Sequence, residues 1–342
     1  MKIAIPRIVI TTGDPAGIGP EIILKGLHYF KTHGISFAPV VIGSIRTYSH
    51  SAYSHLFKSL GFYQAEVSKF DGLTEEKPLL LEPDGTDYEI KPGEGSALSG
   101  TAAGRYLDAA LEILEKGNAD LLLTCPINKK YFMAAGYDYA GHTEYLKEKT
   151  GSVDAYMMFA AEKVKVLLLT HHIPLKDVSS MVTKDNLLQL LKFIANKGYS
   201  FGLSRGSRIA VAGLNPHAGE DGILGMEETE EILPALSAAK KFLPNIEGPL
   251  PADSLFRPEI RNNYDLIIFM FHDQGLTGVK AAGPSVNITV GLPFIRVSPD
   301  HGTAYSIAGK DCADASSFVK AVEIGLDLYY KNCSAEPADA IT

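Results

Sequence analysis

The stretch YDLIIFMFHDQG, Tyr264–Gly275, decides the fold class, because a run of apolar, branched and aromatic residues ends abruptly in polar groups. Two other stretches repeat the pattern, VKVLLLTHHIPL at 164–175 and RIAVAGLNPHAGEDG at 208–222. Runs of this length and composition predict buried β-strands. The sequence therefore predicts an α/β protein in which histidines follow separate strands.

His172, His217 and His272 are the histidines that follow these predicted strands. In an open α/β sheet, the carboxyl ends of the strands border the crevice where ligands bind. Imidazoles that meet there, with acids such as Asp273 close behind, are typical of a divalent metal site with open coordination positions. The alternative for each histidine alone is a structural role in a loop. If the strand continues through them, His171 and His172 point to opposite sides of the sheet, so His171 is interpreted as a packed neighbour of His172.

Outside these stretches, short apolar runs alternate with longer segments of helical period, which is typical of a mostly parallel sheet covered on both faces. Further strands are predicted at 7–11, 38–42, 79–81 and 120–124, and helices at 19–30, 100–116, 143–149, 184–197, 227–242 and 313–330. The polar segment 60–95 predicts a small excursion at the edge of the first lobe. Residues 334–342 predict a frayed tail.

Composition sets the class of protein. The chain has 342 residues, 46% of them hydrophobic and 21% charged, with a formal net charge of −8, as in ordinary globular proteins. No basic cluster indicates nucleic-acid binding, and no run approaches the roughly 20 apolar residues of a membrane span. Three scattered cysteines and the lack of a signal-peptide pattern predict a cytoplasmic protein.

The glycine-rich segment TTGDPAGIGPE, 11–21, lies between the first predicted strand and helix. It fails the dinucleotide fingerprint, because Ile22 stands where a third small residue is needed, and no Gly-Lys-Ser/Thr follows for a P-loop. The segment predicts a strand-to-helix turn with Pro20 at the first helical position. Asp14 stays a site candidate.

Two groups of residues are candidate anchors for an anionic ligand. His142 and Thr143 open a predicted helix, whose N-terminus attracts anions, although Thr143 as a simple N-cap is the alternative. Lys280, Asn287 and Arg296 follow the third histidine within a short stretch. Cationic side chains there suit phosphate or carboxylate, and ordinary surface charges are the alternative.

These segments together resemble the PdxA family nearly end to end. The motifs that carry the resemblance are TTGDPAGIGPEI, GHTEYL, HHIPL, LNPHAGEDG, GPLPADSLF, FHDQGL, VNITVGLPFIR and SPDHGTAYSIAG. The resemblance implies a two-lobed α/β/α architecture related to isocitrate and isopropylmalate dehydrogenases, with the active site in the cleft between lobes. The lobes are expected at 1–130 with 290–342, and at 131–289.

The resemblance also implies an activity and a ligand set. The activity is NAD- or NADP-dependent oxidation of 4-phosphohydroxy-L-threonine at C3, then decarboxylation to 3-amino-1-hydroxyacetone 1-phosphate, in pyridoxal 5'-phosphate biosynthesis. Zn, Mg or Co would be held by His172, His217 and His272, one of them from the other subunit of a homodimer. The substrate would be held by the two groups of anchors, His142, Thr143, Lys280, Asn287 and Arg296.

Some points stay open at this stage. The sequence departs from the commonest family pattern in the loop AAGPSV between Lys280 and Asn287, which is shorter than in enterobacterial members, and at Val297 and Ser306. The loop difference keeps 4-phospho-D-threonate or 4-phospho-D-erythronate as an alternative substrate. His142, Asp253 and Asp300 are the candidates for proton transfer. Outside the family, a metal-dependent hydrolase uses the same histidines and acids to activate water. A non-catalytic metal-binding module is the third alternative.

Overall fold

The computed structural model describes residues 5–70, 77–139, 141–161 and 164–334. The predicted tail beyond Ser334, and residues 71–76 of the predicted excursion, lie outside the described residues. By internal contacts the chain divides into two compact units, Met1–Ser152 with Leu292–Tyr329, and Val153–Gly291 with Tyr330–Thr342. The lobe boundaries predicted from the sequence, at residues 130 and 289, stay a prediction.

The strands of the described residues alternate with helices along most of the chain. In chain order they are β1 (Arg7–Thr11), β2 (Ala38–Ile42), β3 (Tyr63–Glu66), β4 (Leu79–Glu82), β5 (Leu121–Thr124), β6 (Tyr156–Ala161), β7 (Val164–Leu168), β8 (Ile209–Ala212), β9 (Ile246–Leu250), β10 (Leu266–Phe269), β11 (Ser285–Val290) and β12 (Ile295–Pro299).

The α-helices differ widely in length. In chain order they are α1 (Gly19–His33), α2 (Ile45–Ser49), α3 (Ser54–Leu60), α4 (Ala97–Glu115), α5 (Lys129–Ala134), α6 (His142–Lys149), α7 (Val178–Met181), α8 (Lys184–Lys197), α9 (Leu233–Ala239), α10 (Pro258–Arg261), α11 (His272–Ala281) and α12 (Ser316–Ser334). A π-helical turn, Glu228–Ile232, leads directly into α9. None of the described helices has the length and apolarity that a bilayer crossing requires.

The first unit is built on a parallel sheet with the strand order β3-β4-β2-β1-β5-β12. β1 lies between β2 and β5, so the chain changes direction across the sheet at this strand. The face covered by α4 buries Val9, Leu81, Tyr106 and Leu122. α4 begins with a capping box in which the side chains of Ser96 and Ser99 each bond the other residue's backbone.

The second unit has a mixed sheet with the strand order β11-β6-β7-β10-β8-β9. β11 and β6, and β6 and β7, pair antiparallel, while β7, β10, β8 and β9 are parallel. Its core contains Val166, Ala210, Ile267, Phe269 and Leu276, the last from α11. The three strands predicted to precede histidines are therefore parallel neighbours.

The predicted α/β fold is confirmed, and most predicted elements are present with ends shifted by a few residues. Five strands escaped prediction, β3, β6, β9, β11 and β12, three of them for identifiable reasons. β6 (YMMFAA) contains no β-branched residue, β9 contains Gly248-Pro249, and β11 mixes polar with branched positions. In contrast, β7, β8 and β10 carry the pattern of buried parallel strands.

Candidate functional site

The carboxyl ends of β7, β10 and β8 bring the predicted metal ligands to one edge of the second unit. His172 follows β7, His217 follows β8, and His272 is the first residue of α11, directly after β10. Residues 266–268 of β10 pair with β8, and residues 267–269 pair with β7, so β10 lies between the other two strands. The structure thus places each of the three histidines just after a strand, as the sequence predicts.

His172 and His272 are close neighbours. Their ring centroids are 5.9 Å apart with an angle of 38° between the ring planes. The Nδ1 atom of His272 lies 2.7 Å from a carboxylate oxygen of Asp273. A carboxylate at Nδ1 fixes the imidazole tautomer and leaves Nε2 to ligate, which is the usual arrangement around metal-binding histidines.

The expectation that His171 and His172 alternate across a continuing strand does not apply, because β7 ends at Leu168. The two rings instead pack edge to face, with centroids 5.4 Å apart. His171 is partly buried and His172 is exposed. His171 is therefore a packed neighbour of His172, as predicted, but the reason is local packing and not strand alternation.

His217 lies on a turn of unusual backbone conformation, and its side chain is 71% exposed. Its Nδ1 is 3.7 Å from Glu220 Oε1. In the part of the chain that the structure describes, the ligand atoms of His172, His217 and His272 do not all lie within 4.8 Å of one another. Within one chain the structure therefore pairs His172 with His272 and leaves His217 pointing outward.

The two imidazoles of His172 and His272 fit a divalent metal of the transition series. They provide nitrogen donors, which Zn and Co prefer, and the Asp273 carboxylate supports one of them. Mg, which prefers an all-oxygen environment, fits this donor set less well. The chemistry of the side chains thus favours a metal that accepts imidazole.

Gln274 connects the ends of two of these strands. Its side-chain oxygen accepts a hydrogen bond from the Met270 backbone at 2.8 Å, and its Nε2 donates to the Gly213 carbonyl at 2.7 Å. The first turn of α11, which carries His272, is therefore tied to the segment that precedes His217. Gln274 was not among the predicted site residues, although it stands inside the quoted HDQG motif.

The other predicted residues of the second unit are more scattered. Asp253 is exposed in the turn that follows β9, and Lys280 is exposed in the last turn of α11. Asn287 lies on β11 opposite Phe159 of β6, and its side-chain oxygen is buried without a hydrogen-bond partner among the described residues. An unpaired buried acceptor is costly, so Asn287 is suited to receive a hydrogen bond from a ligand.

His142 and Thr143 form the first turn of α6 in the first unit. Gly141 is the N-cap and no side chain caps the helix, so the predicted N-cap role of Thr143 is wrong. Thr143 is instead buried inside the first turn. The Nε2 atom of His142 is buried and has no hydrogen-bond partner among the described residues. Burial, and then the charge of Arg296, lowers the pKa of His142 well below 6.5, which keeps the ring neutral.

Arg296 lies on β12 and is only 2% exposed, so the alternative of an ordinary surface charge is excluded. Its Nη2 and Nε atoms donate to Thr124 Oγ1 at 2.6 and 3.1 Å. Burial lowers the pKa of Arg296 to about 9, and the Glu144 carboxylate opposes that fall. The guanidinium therefore stays charged at neutral pH, and a buried positive charge is a strong anchor for an anion.

Asp14 follows the carboxyl end of β1 in the first unit, and its partners come from α4 and from the segment after β12. Asp14 is 1% exposed; its Oδ2 accepts hydrogen bonds from Ser99 Oγ at 3.0 Å and Tyr305 Oη at 2.6 Å. Burial raises the pKa of Asp14, and the hydrogen bonds oppose that rise. Asp14 was a predicted site candidate, whereas Ser99 and Tyr305 were not. Nothing in the sequence links Asp14 with Tyr305, 291 residues away.

The glycine-rich turn packs closely against the loop that follows β12. A Cβ atom at Gly17 would lie 2.8 Å from the Thr303 carbonyl oxygen, and the Ile18 amide donates to that oxygen at 2.9 Å. Pro20 is the second helical residue, since α1 begins at Gly19. In the Asp300-His301 segment, His301 Nδ1 lies 3.1 Å from the Gly302 carbonyl, and Asp300 is partly buried.

Comparisons with known proteins agree with these motifs. The model of a family described as "Pyridoxal phosphate biosynthetic protein PdxA" matches residues 36–325. A 4-hydroxythreonine-4-phosphate dehydrogenase from Aquifex aeolicus is 42% identical over 327 residues, which cover 95% of this chain and 99% of the relative. A D-threonate 4-phosphate dehydrogenase from Cupriavidus necator is 39% identical over 334 residues, with 95% and 97% covered.

A solved structure gives the same result. The crystal structure of a 4-hydroxythreonine-4-phosphate dehydrogenase from Klebsiella pneumoniae aligns with a TM-score of 0.80 at 33% identity. The alignment covers 96% of this chain and 99% of that one. Sequence and structure therefore match similar proteins along nearly their whole length.

Proposed function

This chain belongs to the PdxA family, and from that premise we propose that it oxidises 4-phosphohydroxy-L-threonine at C3 with NAD or NADP. Loss of CO2 then gives 3-amino-1-hydroxyacetone 1-phosphate for pyridoxal 5'-phosphate biosynthesis. The observation that carries the proposal is the match to dehydrogenases over nearly the whole chain, combined with the close pair His172 and His272.

The residues of the chain divide the work of binding and proton transfer. Arg296, a buried cation, would bind the phosphate or carboxylate of the substrate, with Lys280 as a further anchor, and Asn287 Oδ1 would accept a hydrogen bond from a donor group of the substrate. Fixing these remote groups orients the reacting carbon. His142, held neutral by burial, can exchange a hydrogen bond or a proton with substrate, and Thr143 lies beside it.

Two added groups would supply chemistry that side chains lack. A divalent ion held by His172, His272 and His217 would supply Lewis acidity, which eases ionisation of an alcohol and loss of CO2 from a β-keto acid. The nicotinamide cofactor would accept the hydride. Among the carboxylates, Asp300 and Asp253 are the candidates for the general base.

A homodimer is part of the proposal. The second unit exposes apolar side chains around α7 and around the left-handed turn, which is the run of positive φ at residues 217–222. These side chains, called the apolar patch, are Ile173, Leu175, Met181, Ile223, Leu224, Met226 and Leu233. The Ser179 hydroxyl donates to Glu227 at 2.6 Å, so the two segments are neighbours. An exposed apolar patch of this kind favours a protein interface. His217 is exposed in the turn that directly precedes Ile223 of this patch. In a homodimer, His217 of one subunit would therefore complete the metal site of the other.

The decisive experiment is a substrate panel with the purified protein. Formation of NADH or NADPH from 4-phosphohydroxy-L-threonine, dependent on added Zn²⁺ or Co²⁺, is expected. Turnover of a phosphorylated substrate without nucleotide would instead establish the metal-dependent hydrolase. Inactivity with every phosphorylated hydroxy acid, despite bound metal, would favour the non-catalytic module.

A second substrate is favoured by one specific observation, the 39% identity to a D-threonate 4-phosphate dehydrogenase. The panel therefore includes 4-phospho-D-threonate and 4-phospho-D-erythronate. A higher kcat/KM for either of these than for the amino acid would assign the chain to that branch of the family. His217→Ala tests the ligand set, because loss of metal and of activity in a folded protein is expected.

A further inference from the structure

The loop that carries His217 runs through a left-handed turn. Six consecutive residues, 217–222, have φ between 44° and 94°, and four of them are not glycine: His217, Ala218, Glu220 and Asp221. Steric crowding destabilises each non-glycine residue in this conformation, so a run of this kind persists only where the surrounding structure enforces it. The enforcing contacts therefore decide where His217 points.

Glu228 makes the contacts that hold the start of this loop. Its Oε1 accepts hydrogen bonds from the backbone amides of Leu214 and Asn215, both at 2.7 Å. Its Oε2 accepts a third from Asn215 Nδ2 at 2.9 Å. The Glu228 residue is only 2% exposed, and buried charge-assisted bonds to backbone amides are strong.

The same carboxylate also borders the left-handed turn itself. A Cβ atom placed on Gly219 would lie 2.6 Å from Glu228 Oε2, so the turn packs closely against the carboxylate. Glu228 is the first residue of the π-helical turn, a rare element that often accompanies functional sites. The His217 side chain is 71% exposed, so the turn, and not packing around the ring, sets its direction.

We propose that Glu228 is the positioning residue that holds the left-handed turn and thereby aims His217 at the metal. The inference rests on the proposed function, in which His217 is a metal ligand. Glu228 does not touch the metal or the substrate in this proposal. It acts only by fixing the backbone that carries a ligand.

Glu228→Gln is the sharpest test, because it keeps the size of the side chain and replaces one acceptor oxygen with an NH2 group. Both oxygens of Glu228 accept from N–H groups, so in either orientation of the glutamine amide the NH2 group lies opposite a donor. At least one of the three bonds is therefore lost. The matched control is Glu230→Gln, which removes the same charge two residues away, where the side chain is exposed.

The measurements use the full-length protein in its native assembly. Metal affinity is measured by equilibrium dialysis with Zn²⁺, and ligand geometry by the visible spectrum of the Co²⁺ form. Hydrogen exchange reports on the amides of residues 214–224, and circular dichroism reports on the fold. For Glu228→Gln we expect metal affinity about 10- to 100-fold lower, a changed Co²⁺ spectrum and faster exchange in this segment. Glu230→Gln should match the wild type in all four.

Two further variants separate the possible failures. If His217→Ala binds metal as the wild type does, the proposed ligand set is wrong, whatever Glu228 does. If His217→Ala loses metal while Glu228→Gln keeps normal affinity and spectrum, only the positioning role is overturned. Should Glu228→Gln not fold, Asn215→Ala removes one bond to Glu228 and one to Glu227, and should lower metal affinity in the same direction by a smaller factor, with Glu227→Gln as the control for the second bond. Unchanged affinity in the folded Asn215→Ala variant would also overturn the role.

Discussion

The imidazole rings of His172 and His272 lie 5.9 Å apart, although one hundred residues separate them in the chain. Both side chains follow strands, β7 and β10, that are hydrogen-bonded neighbours in a parallel arrangement. Their proximity therefore follows from strand order, since parallel neighbours end at the same edge of a sheet. It gives the second unit two neighbouring imidazoles, the pair to which the proposed metal ion is assigned.

Replacing Asp273 tests whether its carboxylate orients His272 as a metal ligand. In Asp273→Asn the charged acceptor beside His272 Nδ1 is lost, so the ring is less well oriented and a weaker ligand. Metal affinity should fall about 10-fold or more, as measured by equilibrium dialysis. Asp185→Asn is the matched control, because Asp185 also lies in the first turn of a helix, α8, but away from the histidines. Equal affinity in the two variants would contradict the assignment.

Thr124 should stabilise the fold through Arg296. Thr124→Val keeps the shape but removes the oxygen that accepts two hydrogen bonds from a buried guanidinium. Hydrogen bonds to charged groups contribute roughly 1.5–3 kcal/mol, and the free energy of unfolding should fall by about that much. Urea denaturation measures the change. Thr32→Val, which removes an exposed hydroxyl on α1, should change the free energy by less than about 0.5 kcal/mol.

The neutral His142 should make stability depend on pH. Because burial lowers the pKa of His142 in the folded state, the unfolded chain binds a proton near pH 6.5 that the folded chain does not. The folded state therefore loses stability as the pH falls below 6.5, by up to about 1.4 kcal/mol per pH unit. Above that pH this group has no effect.

His142→Gln should remove this contribution. The wild type should lose stability relative to the variant as acid is added, in urea titrations at a series of pH values. His28→Gln, at an exposed position of α1, should leave the wild-type pH dependence unchanged. A constant difference between wild type and His142→Gln across the pH range would show that His142 is not held neutral.

Ile223 tests the homodimer. It is 80% exposed and directly follows the left-handed turn. Ile223→Asp places a charge in the apolar patch, so we expect a monomer by sedimentation velocity, with metal affinity reduced about 10-fold or more because one ligand would come from the partner. Val153→Asp, at an apolar side chain that is 82% exposed outside this patch, should keep the assembly of the wild type. A stable dimer of Ile223→Asp with normal metal affinity would argue against the shared site.

The sequence by itself determined the α/β fold, the family and the position of each candidate ligand along a strand–loop segment. These features are local: β7, β8 and β10 are apolar runs rich in branched residues, interrupted only by Lys165 in β7, and the histidines follow them within a few residues. The motifs of the anchors are equally local. The hydrophobic pattern and the motifs were enough to predict these features, because both depend only on residues that are neighbours in the sequence.

Only the tertiary structure decided how these residues are held. Three sets of hydrogen bonds each join separate elements. Tyr305 donates to Asp14, Arg296 donates to Thr124, and Glu228 accepts from the segment that leads into the turn of His217. Such contacts depend on the order of strands and on packing, which no short stretch of sequence records. The left-handed turn shows the reason most clearly, since its non-glycine residues hold a conformation that their own preferences oppose, directly after the segment that Glu228 binds at Leu214 and Asn215.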